Sequence, residues 1–295
     1  MLSLLDLLEP NSTIEQALKW AHDKFAKNQI SDDGIYDSAA IDSKALLCGC
    51  LHCEQVYLHT WPDKQLTKKQ LDTFESMVEK RILGHPVAYI IGYRDFWSLR
   101  LAVSEATLIP RPETELLVEL ALGLSLHSSS RVLDLGTGTG AIALSLATEN
   151  KHWSIIGLDK NSEAVSLARQ NAKNNQLSDI EFIQSDWFSS IEEQRFDLII
   201  SNPPYIEINN HHLTQGDVRF EPSTALTSGE DGLDDIRYII GNSEGFLMSG
   251  GWLLIEHGNR QGEVIAELFK ANGFSQIRTE CDLNNHPRVT MGQLI

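Results

Sequence analysis

Between Val132 and Ala141 the sequence VLDLGTGTGA runs an apolar strand directly into a glycine-rich turn and out into a helix. No other stretch limits the fold so tightly. Alternating glycines let the backbone bend sharply and let a ligand approach with no Cβ in the way, while the start of the helix offers free N–H groups. Around this turn strand-like runs at 132–135, 154–158, 182–184, 198–201 and 252–256 are separated by helical stretches at 141–148, 162–171 and, after the last, 263–271. Short apolar strands alternating with helices predict a doubly wound, mostly parallel sheet covered on both faces. Two closing runs, 276–280 and 289–294, bring the expected sheet to seven strands. The sequence between them is too short for a helical crossover, so they are expected to pair as an antiparallel hairpin at one edge.

At 295 residues the chain is long enough for two domains of about 150 residues each. Residues 1–84 place apolar side chains at helical spacing: Leu4, Leu5 and Leu8, then Ile14 and Leu18, Ala39, Leu46 and Leu47, and finally Leu66, Leu71, Phe74, Val78 and Ile82. Ser12 and Thr13 offer caps, and Gly34 and Trp61-Pro62 interrupt the pattern. A small helical bundle over 1–84 is the expectation. A connector over 85–112 follows, with a β-like run at 96–103 among Gly92, Pro110 and Pro112, and the α/β domain fills 113–295.

The formal net charge of −17 argues against stable binding to nucleic-acid phosphates, which needs clustered Lys and Arg. The longest apolar run, 116–126, is eleven residues and includes Glu119, well short of the roughly 20 that span a bilayer. The opening MLSLLDLLEP lacks the basic start of a secretory signal, so a cytoplasmic protein is expected, with no membrane partner. Cys48, Cys50 and Cys53 crowd beside His52, but Cys281 lies far away in another element. A structural zinc site needs four ligands, so the thiols are read as small apolar residues on a helix, and no metal is expected.

Asp159 ends the second strand of the α/β domain, nineteen residues past Gly140. A carboxylate there accepts both hydroxyl protons of a ribose, so the ligand is expected to contain a nucleoside. The turn itself, Gly136, Thr137, Gly138, Thr139 and Gly140, fits either a nicotinamide or flavin dinucleotide or S-adenosylmethionine. At the end of the third strand, Gln184-Ser185-Asp186-Trp187 offers Asp186 to accept from an adenine amino group and Trp187 to pack on its ring. Read structurally, the same pair is a capping Asp before a buried Trp.

The fourth strand decides between the ligands. It ends in Asn202-Pro203-Pro204-Tyr205, and ligands of such sheets sit at the carboxyl ends of the strands. Two prolines stiffen the turn and leave the Asn202 side-chain oxygen and the Pro203 carbonyl as fixed acceptors. A planar NH2 group has two matching donors. Tyr205 adds an aromatic face for a planar amide or base. Attack by an amide nitrogen on a methyl group requires its delocalised lone pair to localise, and acceptors on both N–H groups stabilise the positive charge that grows there. No strong general base is needed.

With these residues in place, the sequence resembles the release factor glutamine methyltransferases, the PrmC/HemK family, over essentially its whole length. The resemblance rests on Gly84-His85-Pro86 through Gly92, Ile109-Pro110-Arg111-Pro112-Glu113-Thr114-Glu115, residues 134–141, Ser201 with the Asn-Pro-Pro-Tyr turn, residues 215–222, and Glu256-His257-Gly258 with Gln261-Gly262. It implies the class I S-adenosylmethionine-dependent methyltransferase fold, release of S-adenosylhomocysteine, and transfer to the glutamine of the Gly-Gly-Gln loop of peptide chain release factors. Residues 136–140, Asp159, Trp187 and Asn202 would then contact the cofactor, and Asn202, Pro203, Pro204 and Tyr205 the glutamine amide. The helical domain and residues 110–115 would help dock the release factor. Arg111 and Glu113 are left out of the catalytic set, because Pro112-Glu113 is also a good helix start. The chain departs from the family at Asn284-Asn285-His286-Pro287 and at Gln293, both in the expected hairpin. Methylation of an adenine or guanine amine is the rival chemistry, disfavoured by the acidic charge. A non-catalytic adaptor is disfavoured by the intact Asn-Pro-Pro-Tyr.

Overall fold

The structure is a computed structural model and describes residues 8–28, 38–191 and 193–295. It divides into two compact units: the described part of Met1–Gly92 together with Thr214–Phe220, and Tyr93–Leu213 together with Glu221–Ile295.

The first unit is helical, with α1 (Ile14–Lys27), α2 (Ser38–Leu51), α3 (Gln55–Thr60), α4 (Lys68–Ile82) and α5 (Val87–Ile91). Thr13 and Thr67 start α1 and α4 through reciprocal bonds with Gln16 and Gln70, which satisfy otherwise orphaned N–H groups. Ser12, the other expected cap, instead donates to the Glu9 carbonyl. Ile14, Phe25, Leu46, Leu47, Phe74 and Val78 are fully buried between these helices, each contributing about 1.5–3 kcal/mol on leaving water. Leu4, Leu5 and Gly34 lie outside the described residues. Arg81 donates to Asp42 and to Asp217, and the Phe220 ring packs on His85, so Thr214–Phe220 is part of this unit's packing. The Cys50 thiol donates to the Gln70 carbonyl, and burial pushes its pKa up to about 11. Among the described residues no group of His, Cys, Asp and Glu is placed to hold a metal ion, and no helix is long and apolar enough to cross a membrane.

The second unit opens with β1 (Tyr93–Phe96) and β2 (Leu99–Ala102), an antiparallel hairpin. The single run expected at 96–103 is therefore broken, because Trp97 turns the chain at φ 55°. Nothing in Trp97-Ser98 signals a turn locally. It is held from a distance by Glu115, which accepts the Trp97 N–H at 2.8 Å, and by Glu149, which accepts from its indole.

Then come α6 (Glu115–Leu122), β3 (Arg131–Leu135), α7 (Ala141–Glu149), β4 (Ser154–Asp159), α8 (Ser162–Asn174), β5 (Glu181–Gln184), β6 (Phe196–Ser201), α9 (Asp234–Ser243), β7 (Leu247–Glu256), α10 (Gly262–Ala271), β8 (Phe274–Cys281) and β9 (Pro287–Leu294). The seven-stranded sheet has the order β5-β4-β3-β6-β7-β9-β8, parallel through β7, with β9 antiparallel to both neighbours. Period-two alternation sends Val132, Leu198, Ile200 and Leu254 into one core with α6, α7 and α8. Leu133, Leu135, Ile199, Leu253 and Ile255 enter the other, with α9 and α10. Both faces of the sheet are thus covered, as continuous apolar strands require. Strand order reverses between β3 and β6, which opens a crevice at their carboxyl ends. In the closing hairpin the Asp282 carboxylate accepts from the N–H groups of Asn284 and His286 while Asn285 takes φ 60°. Asn284-Asn285-His286-Pro287 is therefore a turn organised by its own Asp, and Gln293 donates to the Gly250 carbonyl at 2.8 Å.

Candidate active site

The crevice holds a cavity of about 640 Å³, within the range of about 300–1,000 Å³ that small-molecule sites occupy. It is lined by Gly136, Thr137, Gly138, Thr139, Asp159, Asp186, Trp187, Asn202 and Pro204, together with a strap over 106–111, Thr114, a loop over 223–227, and Asp235. Gly140, Pro203 and Tyr205 are not among its lining residues.

The turn after β3 is clipped down by its own backbone. Gly136 and Thr137 donate to the Leu158 carbonyl at 2.9 and 2.8 Å, Gly140 donates to Thr137 at 2.8 Å, and Gly138 donates to Asp159 Oδ2 at 2.9 Å. These four N–H groups of the turn are therefore spent inside the protein. What the turn presents is bare Cα surface: a Cβ on Gly138 would meet nothing within 4 Å, whereas one on Gly140 would press on Leu144, Phe182 and Ala168 at 3.1–3.3 Å. Gly138 is thus open and Gly140 is a packing glycine at the start of α7. Beneath the turn Asp134 is fully buried and accepts from the Thr137 hydroxyl at 2.6 Å and from the Ala143 N–H. Burial, partly countered by those bonds, pushes its pKa up to about 7.

Asp159 ends β4, where burial raises its pKa and the N–H groups of Asn161 and Gly138 oppose the rise. Each of its oxygens accepts one backbone N–H, leaving further lone pairs toward the cavity. Asn161 also donates to the Ala106 carbonyl at 3.1 Å, which ties the strap down. Trp187 stands at φ 49°, its ring close to Gly136 and its indole N–H on Asp235 at 3.2 Å. Asp186 is exposed and pairs with Lys160 at 2.8 Å.

The prolyl corner leaves β6 at Ser201, whose hydroxyl donates to the Leu135 carbonyl at 2.8 Å and holds the ends of β6 and β3 together. Asn202 donates through Nδ2 to Thr114 Oγ1 at 3.1 Å, so its Oδ1 is left as an acceptor. The Tyr205 hydroxyl donates to Glu256 Oε1 at 3.4 Å, and its carbonyl accepts from Gln261 at 3.0 Å. Burial, then the neighbouring Glu256 carboxylate, raise the Tyr205 pKa. Arg111 lines the cavity and is paired with buried Glu221, whose other oxygen accepts the Ile109 N–H at 3.0 Å.

Thr114, Asp235 and the supporting Glu256 were not picked out as site residues from sequence. The strand-end position of Glu256, the place of Thr114 just after Pro110 and Pro112, and the family stretches that contain both were the signals there to find them.

The PrmC N-terminal domain family matches residues 16–92 and the methyltransferase small domain family matches residues 112–220. A release factor glutamine methyltransferase of Vibrio cholerae is 49% identical over 282 residues, covering 95% of this chain and 96% of its own. That of Shewanella oneidensis is 46% identical, with 96% of each chain covered. Among solved structures, a methyltransferase from Pyrococcus furiosus shares the fold at a TM-score of 0.51 and 17% identity, covering 67% of this chain and 89% of that one. By identity at that level along nearly its whole length, the chain belongs to the release factor glutamine methyltransferase family.

Proposed function

We propose that this protein transfers a methyl group from S-adenosylmethionine to the side-chain amide nitrogen of the glutamine in the Gly-Gly-Gln loop of peptide chain release factors. The observation that carries the reading is the oriented amide of Asn202: with its NH2 on Thr114, its oxygen is available to an NH2 group in the same cavity as the glycine turn and Asp159.

The donor set suits this cofactor better than a dinucleotide. A pyrophosphate lies against the N–H groups of the glycine loop as well as those of the helix start, and here the loop's amides at Gly136, Thr137, Gly138 and Gly140 are already bonded. The open Gly138 and the carboxylate of Asp159 remain, which fit a nucleoside without a phosphate bridge.

When bound, the cofactor supplies an electrophilic methyl group. Bare backbone at Gly136, Thr137, Gly138 and Thr139 forms the floor. Asp159 accepts from the ribose hydroxyls, and Asp186 and Trp187 take the adenine end. Asn202 Oδ1 and the Pro203 carbonyl accept from the two N–H groups of the glutamine and stabilise the charge that develops on its nitrogen. Pro203 and Pro204 hold these acceptors rigid, and Tyr205 closes the corner behind them.

The experiment is transfer of labelled methyl to a release factor, to the same factor with its loop glutamine replaced, and to ribosomal RNA or DNA. Label on the unaltered factor alone is expected. Label on nucleic acid would move the assignment to base amines, and no label on any acceptor would leave an adaptor.

A further inference from the structure

Glu256, the last residue of β7, is 1% exposed and stands behind the prolyl corner. Its Oε1 accepts from the Tyr205 hydroxyl. The Thr114 hydroxyl faces the same carboxylate and favours its charged form. Glu256 Oε2 is buried with no hydrogen-bond partner among the described residues. Thr114 Oγ1 already accepts from Asn202, so its single hydroxyl hydrogen is left to turn toward this carboxylate, whose Oε2 lacks a partner among those residues.

An Asn amide fits its surroundings almost equally well after a half-turn, which exchanges oxygen and NH2. With NH2 toward the cavity, Asn202 would oppose the amide it has to hold. We infer that Glu256, acting through the Thr114 hydroxyl on Asn202 and directly on Tyr205, is a positioning residue that keeps the Asn202 oxygen facing the substrate. A charged carboxylate can only accept, so it draws the Thr114 hydrogen toward itself. Thr114 can then only accept from Asn202, and the Asn202 oxygen is the atom left over. A protonated Glu256 donates instead, which frees Thr114 to donate to Asn202 and removes the preference. The inference rests on the proposed transfer to a glutamine amide, and it gives that corner a supporting carboxylate outside the Asn-Pro-Pro-Tyr motif.

The protonation state follows from the surroundings. Burial is the main cause pushing Glu256 up to about 7, with Glu113 adding to it, while Thr114, Arg288 and the Tyr205 hydroxyl favour the charged form. Arg288 comes from β9, Glu113 and Thr114 from the turn before α6, and Tyr205 from the corner. Turnover should therefore rise with pH through a limb near 7, as the carboxylate loses its proton.

The test measures methyl transfer to a release factor by the full-length protein, with cofactor Kd and Tm followed in parallel. Glu256→Gln and Thr114→Val are each expected to lower kcat by about 10–100-fold, the usual effect of removing a group that orients another, with cofactor Kd and Tm held. The double variant should lose no more than either single one, because both cut the same chain of bonds. Thr114→Ser keeps the hydroxyl and should restore most of the activity that Thr114→Val loses. The pH limb should be missing from Glu256→Gln. Hydrogen exchange of the Asn202 side-chain amide, followed by NMR, should be slow in the natural protein and fast in both variants. Undiminished kcat with an intact limb in Glu256→Gln, or a loss of kcat that follows a loss of Tm, overturns the inference. Should the natural protein transfer nothing to the factor, the functional reading fails, and slow Asn202 exchange in Glu256→Gln would still overturn the positioning role.

Discussion

The cavity has two walls, and they are built in opposite ways. The glycine wall is local: β3, its turn, α7 and the end of β4 lie within residues 131–161, and the turn is pinned by backbone bonds to Leu158 and by Asp134 and Asp159. The prolyl wall is assembled from afar. Asn202 and Tyr205 are held by Thr114, Glu256 and Gln261, which arrive from three separate elements, and Gly232 leaves room for the Tyr205 carbonyl that a Cβ would meet at 2.2 Å. A wall that only has to offer shape and a carboxylate can be written in one short segment. A wall that has to aim acceptors at a developing charge needs positional control from several directions, because an aim wrong by a fraction of an ångström forfeits much of its effect.

The comparison is sharpest at Asn202. Replacement by Ala removes an acceptor whose value peaks as charge develops, so kcat is expected to fall by about 10²–10³-fold, while the cofactor Kd stays close to that of the natural protein. Steady-state kinetics beside calorimetric titration checks both numbers, and a change confined to KM would put the corner on the binding side. The opposite pattern is expected for Asp159→Ala. Losing a charged acceptor for two ribose hydroxyls should weaken cofactor binding by about 10–100-fold, with kcat at saturating cofactor nearly kept. An unchanged Kd would remove Asp159 from the ribose.

The same contrast governs what could be read in advance. The glycine turn, Asp159 and the Asn-Pro-Pro-Tyr corner were legible because each is a local device: glycine spacing, a strand-end acid, a paired proline. The seven strands and their edge hairpin were legible because period-two apolar runs are local too. Trp97 was not, since a left-handed residue with no glycine or asparagine is held by Glu115 and Glu149 from beyond the hairpin. Helix α9, which carries Asp235 to the Trp187 indole, was also missed; it follows a long irregular stretch after the corner and has no side-chain cap at its start. The bonding of the turn's N–H groups could not be read either, because their main acceptor, the Leu158 carbonyl, belongs to the neighbouring strand and becomes an acceptor there only once β3 and β4 pair.

Within the glycine wall, two glycines separate binding from folding. Gly140 has φ 83°, and a Cβ there would crowd Leu144, Phe182 and Ala168 at 3.1–3.3 Å. Gly140→Ala adds left-handed strain to crowding in the core, and is expected to cost about 2–4 kcal/mol of stability in a denaturant titration. Gly138 has φ 53° and open space, so Gly138→Ala should cost about 1–2 kcal/mol from strain alone and show its main effect in a weakened cofactor Kd. Equal losses of stability at the two positions would mean that the whole turn is a folding device and not a ligand surface.

The smallest effect is expected where the cavity meets solvent. Asp186 is exposed, and its partner Lys160 is more exposed still, so their bond at 2.8 Å competes with water at every point. An acceptor in that setting exchanges one hydrated state for another when a ligand arrives. Asp186→Asn keeps one acceptor oxygen and removes only the charge. Cofactor Kd should therefore weaken by about threefold, the lower end of what a single hydrogen bond supplies, with no shift in Tm. The loss should also shrink as salt is added, since screening already weakens an exposed charge in the natural protein. A loss as large as that of Asp159→Ala, persisting at high salt, would mean that the bound cofactor seals this edge from water, and the adenine end would then anchor the molecule as firmly as the ribose.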